Sequence, residues 1–345
     1  MEIATKRIYR ELFGRKDGED IHLFTLTNKS GNCVSITNFG CIITAWNVTD
    51  KQGVQRNIVL GFKDLETYLQ PHPYIGVIAG RYANRIAYGR FQIDDEMYQV
   101  TQNEAPHQLH GGYKGFDKVV WDATIEEDML VLKYHSIDGE EGYPGNLEVQ
   151  VSYSFDDDNA LSISYSATTD KETPINLTSH SYFNLTGNAS NNILDHLLTI
   201  NASHYTPVTS EGIPTGIVES VRDTIFDFSK ERAVKHQSSF ADYDHNYVLD
   251  GNDGSSQKAA TLIEGASGIK LEVFTTEPGM QLYTGIHLDG SFQNSNGESI
   301  EKYSGICLET QHFPDSPNHP NFPETILQPG KVYRSTTVYK VGTHH

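Results

Sequence analysis

Along most of the chain apolar and polar residues alternate one by one, and β-branched and aromatic side chains carry the alternation. It is clearest at 34–39, 130–134, 148–155 and 161–165. Successive side chains of a strand point to opposite faces, so a two-residue period predicts strands. Clusters of Asp, Asn, Gly and Pro at 50–53, 138–145 and 156–159 separate these runs and supply the backbone angles of tight turns. Helical periodicity is confined to 65–69 and 193–197, one or two turns each. The turn-rich stretch 250–258 reads as a hairpin tip. Many short strands at close spacing predict an all-β fold, a sandwich or a barrel, with one large or two fused β layers at this length.

One segment, 174–185, sorts its residues most sharply. Ile175, Leu177, Phe183 and Leu185 fall on one side, and Asn176, Thr178, His180, Tyr182 and Asn184 on the other. The expectation is a strand that buries its apolar side and offers its polar side, histidine included, to a hydroxyl-rich ligand. An ordinary half-solvated sheet would show the same pattern.

Charge narrows the partners. With 45 acidic against 26 basic residues the chain carries a formal charge of −19, which disfavours nucleic acid and anionic membrane surfaces. A neutral small molecule meets no such barrier. No run approaches the ~20 apolar residues of a membrane span, and the charged first residues lack the apolar core of an export signal. A soluble, cytoplasmic protein is expected. Cys33, Cys41 and Cys307, odd in number and irregularly spaced, read as reduced core residues.

Candidate chemistry gathers in a few further places. Arg81, Asn84 and Arg85 stand among apolar neighbours, where arginine forks suit carboxylates or paired sugar hydroxyls and equally suit structural ion pairs. His107 and His110 precede Gly111-Gly112, where the backbone can approach a ligand closely; no Glu or Cys nearby completes a zinc shell, so no metal is expected. Asp244 and His245 enter an apolar strand, and Gln281 shares a face with Tyr283. Glu309 sits at the inner end of the apolar run 306–309, where a carboxylate is costly to bury without a partner or a raised pKa, and is the best general-base candidate. Neither a Gly-x-Ser-x-Gly elbow nor a phosphate-cradling glycine loop is present.

Taken in order, Gly80-Arg81-Tyr82-Ala83-Asn84-Arg85-Ile86, Leu109-His110-Gly111-Gly112 with Gly115-Phe116-Asp117-Lys118, Ser179-His180-Ser181-Tyr182-Phe183-Asn184-Leu185, Asp244-His245-Asn246, Glu277-Pro278-Gly279-Met280-Gln281 and Leu308-Glu309-Thr310-Gln311 resemble the aldose 1-epimerase (galactose mutarotase) family over nearly the whole chain. The resemblance implies a large β-supersandwich with an open strand-lined cleft, a single domain over 1–345, and interconversion of the α and β anomers of a free aldose. It implies no cofactor, and a monomer or homodimer. By that analogy His180 protonates the ring oxygen and Glu309 takes the proton of the C1 hydroxyl, while Asn84, Arg85, His110, Tyr182, Asp244 and Gln281 hold ring hydroxyls or orient the pair. Arg85 or another donor would keep Glu309 ionised, whereas burial would push its pKa upward, and the sequence leaves both directions open. A maltose epimerase of the same fold is the near alternative. A non-catalytic sugar-binding module is the distant one, disfavoured because binding alone needs neither an acid nor a base.

Overall fold

The computed structural model describes residues 7–236, 242–251 and 254–344. Three antiparallel sheets dominate them. The largest has nine strands in the spatial order 122–126, 129–136, 147–155, 160–169, 333–343, 269–275, 257–263, 197–200, 232–233. A five-stranded sheet runs in chain order from Ile8–Lys16 to Gln55–Asn57. The third, with six strands, is ordered Tyr182–Phe183, Ile306–Gln311, Gly279–Tyr283, Asp244–Leu249, Ala202–Thr206, Glu219–Ser220.

Alternation explains why the sheets stack. In the strand Leu147–Phe155 the inward set Leu147, Val149, Val151 and Tyr153 is buried, and the outward Glu148 is exposed. These inward faces share one apolar cluster with Phe24, Val34, Ile36 and Trp46 of the five-stranded sheet and Met280, Leu282, Ile306 and Leu308 of the six-stranded sheet. The fully buried phenol of Tyr339, a side chain of the nine-stranded sheet, spans the layers and donates to the Leu308 carbonyl at 2.9 Å. A buried hydroxyl so paired avoids the desolvation cost of an unmatched donor. The all-β expectation therefore holds; the single α-helix among the described residues is Leu65–Tyr68, one of the two expected helical turns. No helix among the described residues is long and apolar enough to cross a membrane.

Three expectations fail. Residues 173–185 do not form one strand but three two-residue pieces, Thr173–Pro174, Thr178–Ser179 and Tyr182–Phe183, each paired in a different sheet. Both faces of the segment are buried, so the polar side is not a solvated surface. Asn176 instead clamps backbone: it donates to the carbonyls of Ala83 and His312 and accepts the His312 N–H. Second, 193–197 is a turn leading into the strand Leu197–Ile200, because the Ile193 N–H bonds the remote Tyr303 carbonyl and buried His196 accepts the Leu185 N–H. Third, 250–258 is no hairpin tip: it links Asp244–Leu249 of the six-stranded sheet to Gln257–Ile263 of the nine-stranded one. Of that stretch, residues 252 and 253 lie outside the described residues.

Candidate active site

One edge of the six-stranded sheet supplies the floor of a cleft of about 360 Å³, within the roughly 300–1,000 Å³ usual for small-ligand pockets. His180 and Tyr182 enter it from one side, Glu309, Tyr283 and Asp244 from adjacent strands, Arg85 from the short strand Arg85–Ile86, and Asn84 and His110 from the turns beside that strand and its partner Gln108–Leu109. Strand register does the placing. Tyr182 pairs with Cys307, Cys307 with Tyr283, Glu309 with Gln281 and Asp244 with Tyr283, so residues far apart in sequence share one patch.

Glu309 and His180 stand at its base, with His180 Nε2 3.7 Å from Glu309 Oε1. Both are nearly inaccessible, at 5% and 2% exposure for His180 and Glu309 respectively. Burial, reinforced by the Asp244 carboxylate, pushes Glu309 well above the usual glutamate range. Its Oε2 has no hydrogen-bond partner among the described residues. Burial also holds His180 down to about 4, against the opposing pull of its own backbone carbonyl and of Asp244. The two directions agree: both favour a proton on the Glu309 carboxyl and none on His180 Nε2 in the sugar-free cleft. Of the two opposing effects on Glu309, burial prevails: the Arg85 guanidinium is engaged bidentately by Glu104 at 2.6 and 2.8 Å.

His110 is set differently. Its Nδ1 accepts the Asn84 N–H at 3.1 Å, which leaves the proton of the neutral ring on Nε2. Burial, with the Arg85 charge adding to it, pushes His110 well below the usual histidine range, so it is a fixed donor. The following Gly111 is required: a Cβ there would lie 1.9 Å from the Gly80 carbonyl oxygen. Asn84 lines the cleft in a left-handed conformation, φ 62°, with its Oδ1 taking the Arg85 N–H.

Of the eight residues expected at the site, seven line this cleft and Gln281 does not. Gln281 lies behind it, donating to Asp244 Oδ1 at 2.6 Å and so aiming that carboxylate. Arg81 is wholly structural, its buried guanidinium bonding the Pro144, Gly145 and Ser136 carbonyls. His107 is likewise occupied, accepting the Tyr88 N–H. Sequence reasoning missed Tyr74, Glu104 and His287 of the lining. They sit on irregular loops with no periodic signal, although Glu104 adjoins the histidine-glycine segment that was singled out. Ligating atoms of His180, Cys307 and Glu309 all lie within 4.8 Å of one another, close enough for a metal as well as for a shared proton. What the arrangement supplies to a neutral polyol is a proton donor and acceptor side by side, in a cleft rimmed by aromatic rings and hydrogen-bonding groups.

Comparison with known proteins places this geometry. A sequence model described as aldose 1-epimerase matches residues 22–340. The galactose mutarotase of Rattus norvegicus is 44% identical over 344 residues, covering 99% of each chain. The aldose 1-epimerase of Escherichia coli (strain K12) is 36% identical over 334 residues, 94% of this chain and 96% of that one. Among solved structures, an aldose epimerase homologue from C. elegans superposes with a TM-score of 0.88 at 29% identity, over 94% of this chain and 99% of that chain.

Proposed function

The chain belongs to the aldose 1-epimerase family, an enzyme family of carbohydrate isomerases, and from that membership we propose that the cleft interconverts the α and β anomers of free hexoses such as galactose and glucose with His180 and Glu309 as its acid and base. The observation that carries the proposal is the buried His180–Glu309 pair, an imidazole and a carboxyl group 3.7 Å apart at the base of the cleft. Hemiacetal opening needs one proton delivered to the ring oxygen and one removed from the C1 hydroxyl, and both oxygens are borne by the same carbon. A donor and an acceptor this close match that demand without a covalent intermediate.

A sugar hydroxyl donating to the unpartnered Glu309 Oε2 favours the carboxylate and moves the shared proton to His180 Nε2. His180 then protonates the ring oxygen while Glu309 takes the C1 hydroxyl proton, giving the open aldehyde. Rotation about C1–C2 turns the other face of the carbonyl to the C5 hydroxyl. On reclosure His180 recovers a proton and Glu309 returns one, so the pair ends as it began. Asn84, Arg85, His110, Tyr182 and Asp244 hold the ring hydroxyls, and Gln281 orients Asp244.

The chain works in this reading as one domain over 1–345, monomer or homodimer, in the cytoplasm. It needs no cofactor and binds neither nucleic acid nor membrane; the charge of −19 supports the exclusion of nucleic acid. Polarimetry of freshly dissolved α-D-glucose or α-D-galactose tests the reaction. The wild-type protein is expected to hasten equilibration, and Glu309→Gln or His180→Asn to lower kcat by about 10²–10⁴-fold, the usual weight of an acid–base group. Optical rotation that decays no faster with enzyme than without it would refute the assignment.

A further inference from the structure

The two ring nitrogens of His180 face different surroundings. Nε2 is directed at Glu309, whereas Nδ1 lies 3.6 Å from the sulfur of Cys307. For Nε2 to take and return a substrate proton, Nδ1 must stay protonated throughout. A ring bare at Nδ1 would carry its proton on Nε2, could not act as a base there, and could donate only by becoming an imidazolate.

We propose that Cys307 is a positioning residue whose sulfur accepts the Nδ1–H of His180, fixing the imidazole tautomer that leaves Nε2 free to exchange the substrate proton. The inference rests on the acid–base reading of the cleft. Cys307 is held for this task from both sides, paired through the backbone with Tyr182 and with Tyr283, and is fully buried. Burial, with the Glu309 and Asp244 carboxyls adding to it, pushes the thiol well above its usual range, so it remains an uncharged S–H and a weak acceptor.

The weakness has a chemical use. A carboxylate in the place of Cys307 would fix the same tautomer but would also stabilise the imidazolium and blunt it as an acid. Besides the sulfur, His180 faces its own backbone carbonyl, the rings of Tyr74, His110, Tyr182 and Tyr283 and the carboxyls of Glu309 and Asp244. Burial among them holds the ring down to about 4, and an imidazolium that acidic suits a ring oxygen of very low basicity. Protons balance as before: Nε2 gives one to the ring oxygen and later recovers one from the C5 hydroxyl, and the Nδ1 proton never leaves.

Nitrogen-15 NMR of the full-length protein with labelled histidine, beside polarimetric kinetics of Cys307→Ala and Cys307→Ser, tests the proposal. The wild-type His180 is expected in the Nδ1–H form. Cys307→Ala should lower kcat by about 10- to 100-fold at unchanged KM, the scale of losing a group that orients an imidazole, and should populate both tautomers. Cys307→Ser, whose hydroxyl oxygen also accepts, should lose less and keep the Nδ1–H form. An Nε2–H ring in the wild type, or an alanine variant with wild-type kcat, would overturn the role of Cys307; the wild-type spectrum decides even if a variant fails to fold. Failure of the acid–base reading looks different, because His180→Asn would then leave mutarotation intact.

Discussion

Glu309 is held where a carboxylate is least stable, and that cost can be measured. An unfolded glutamate titrates near 4.5, whereas the folded side chain, buried and close to Asp244, titrates well above it. A raised folded pKa gives a contribution to stability that is complete below 4.5 and lost as pH rises through the folded value. Glu309→Gln has no such loss. The variant should therefore gain on the wild type in urea melts as pH is raised from about 4.5, until Glu309 is ionised in the native state. His180 acts in the opposite sense: its stability contribution is present above 6.5 and lost as pH falls through about 4, in both proteins alike. A stability difference that stays flat across this range would show Glu309 to be solvated. The carboxylate's identity as a candidate was legible in the sequence, since an acidic residue ending an apolar run is rare. Its titration was not, because the loss of Arg85 as a partner depends on Glu104, which folding brings against it.

Strands that pair with sequence neighbours were legible, and those that pair at long range were not. The meander from Asp122–Glu126 through Ala160–Thr169 follows its alternation closely, because each strand finds its partner across a short turn. The segment 173–185 has the same alternation and a different fate. Its three strand pieces pair with Ile326–Leu327, Ile78–Ala79 and Ile306–Gln311, none of which local pattern can announce. Where the chain leaves the last of these pieces, the polar side chain of Asn184 holds it. Its amide donates to the carbonyls of Asn188, Asn191 and Ser304 at 3.2, 2.7 and 2.8 Å, and its carbonyl oxygen accepts from Thr186. Asn184→Ala strands these buried groups, for which about 2–4 kcal/mol of destabilisation is expected in chemical denaturation. Because Asn184 is not part of the cleft lining, KM of the folded variant should not change. A shifted KM with unchanged stability would mean that this residue acts on the sugar, not on the chain.

For the molecule as a whole, the charge of −19 and the composition of the cleft act in the same direction. Among the described residues, three carboxyl groups, Glu104, Asp244 and Glu309, line the cleft, and the one arginine in that lining, Arg85, is already paired. Among the described residues no lysine is in the lining; Lys118, whose ammonium sits 5.7 Å from the ring centre of the lining residue Tyr74, is itself paired with Asp117. A neutral hexose has no long-range interaction with such a field, so its kcat/KM should be independent of ionic strength. An anionic sugar meets repulsion that reaches about 30 Å at 0.01 M salt and about 10 Å at 0.1 M. Glucose 6-phosphate should therefore be a poor substrate at low salt and improve as salt is added, while glucose stays level. Equal rates for the two sugars at 0.01 M salt would require a phosphate-binding cation in the cleft. The charge balance was readable from composition alone, but its bearing on selectivity was not, because that depends on Arg85 being engaged by Glu104 and so removed as a phosphate clamp.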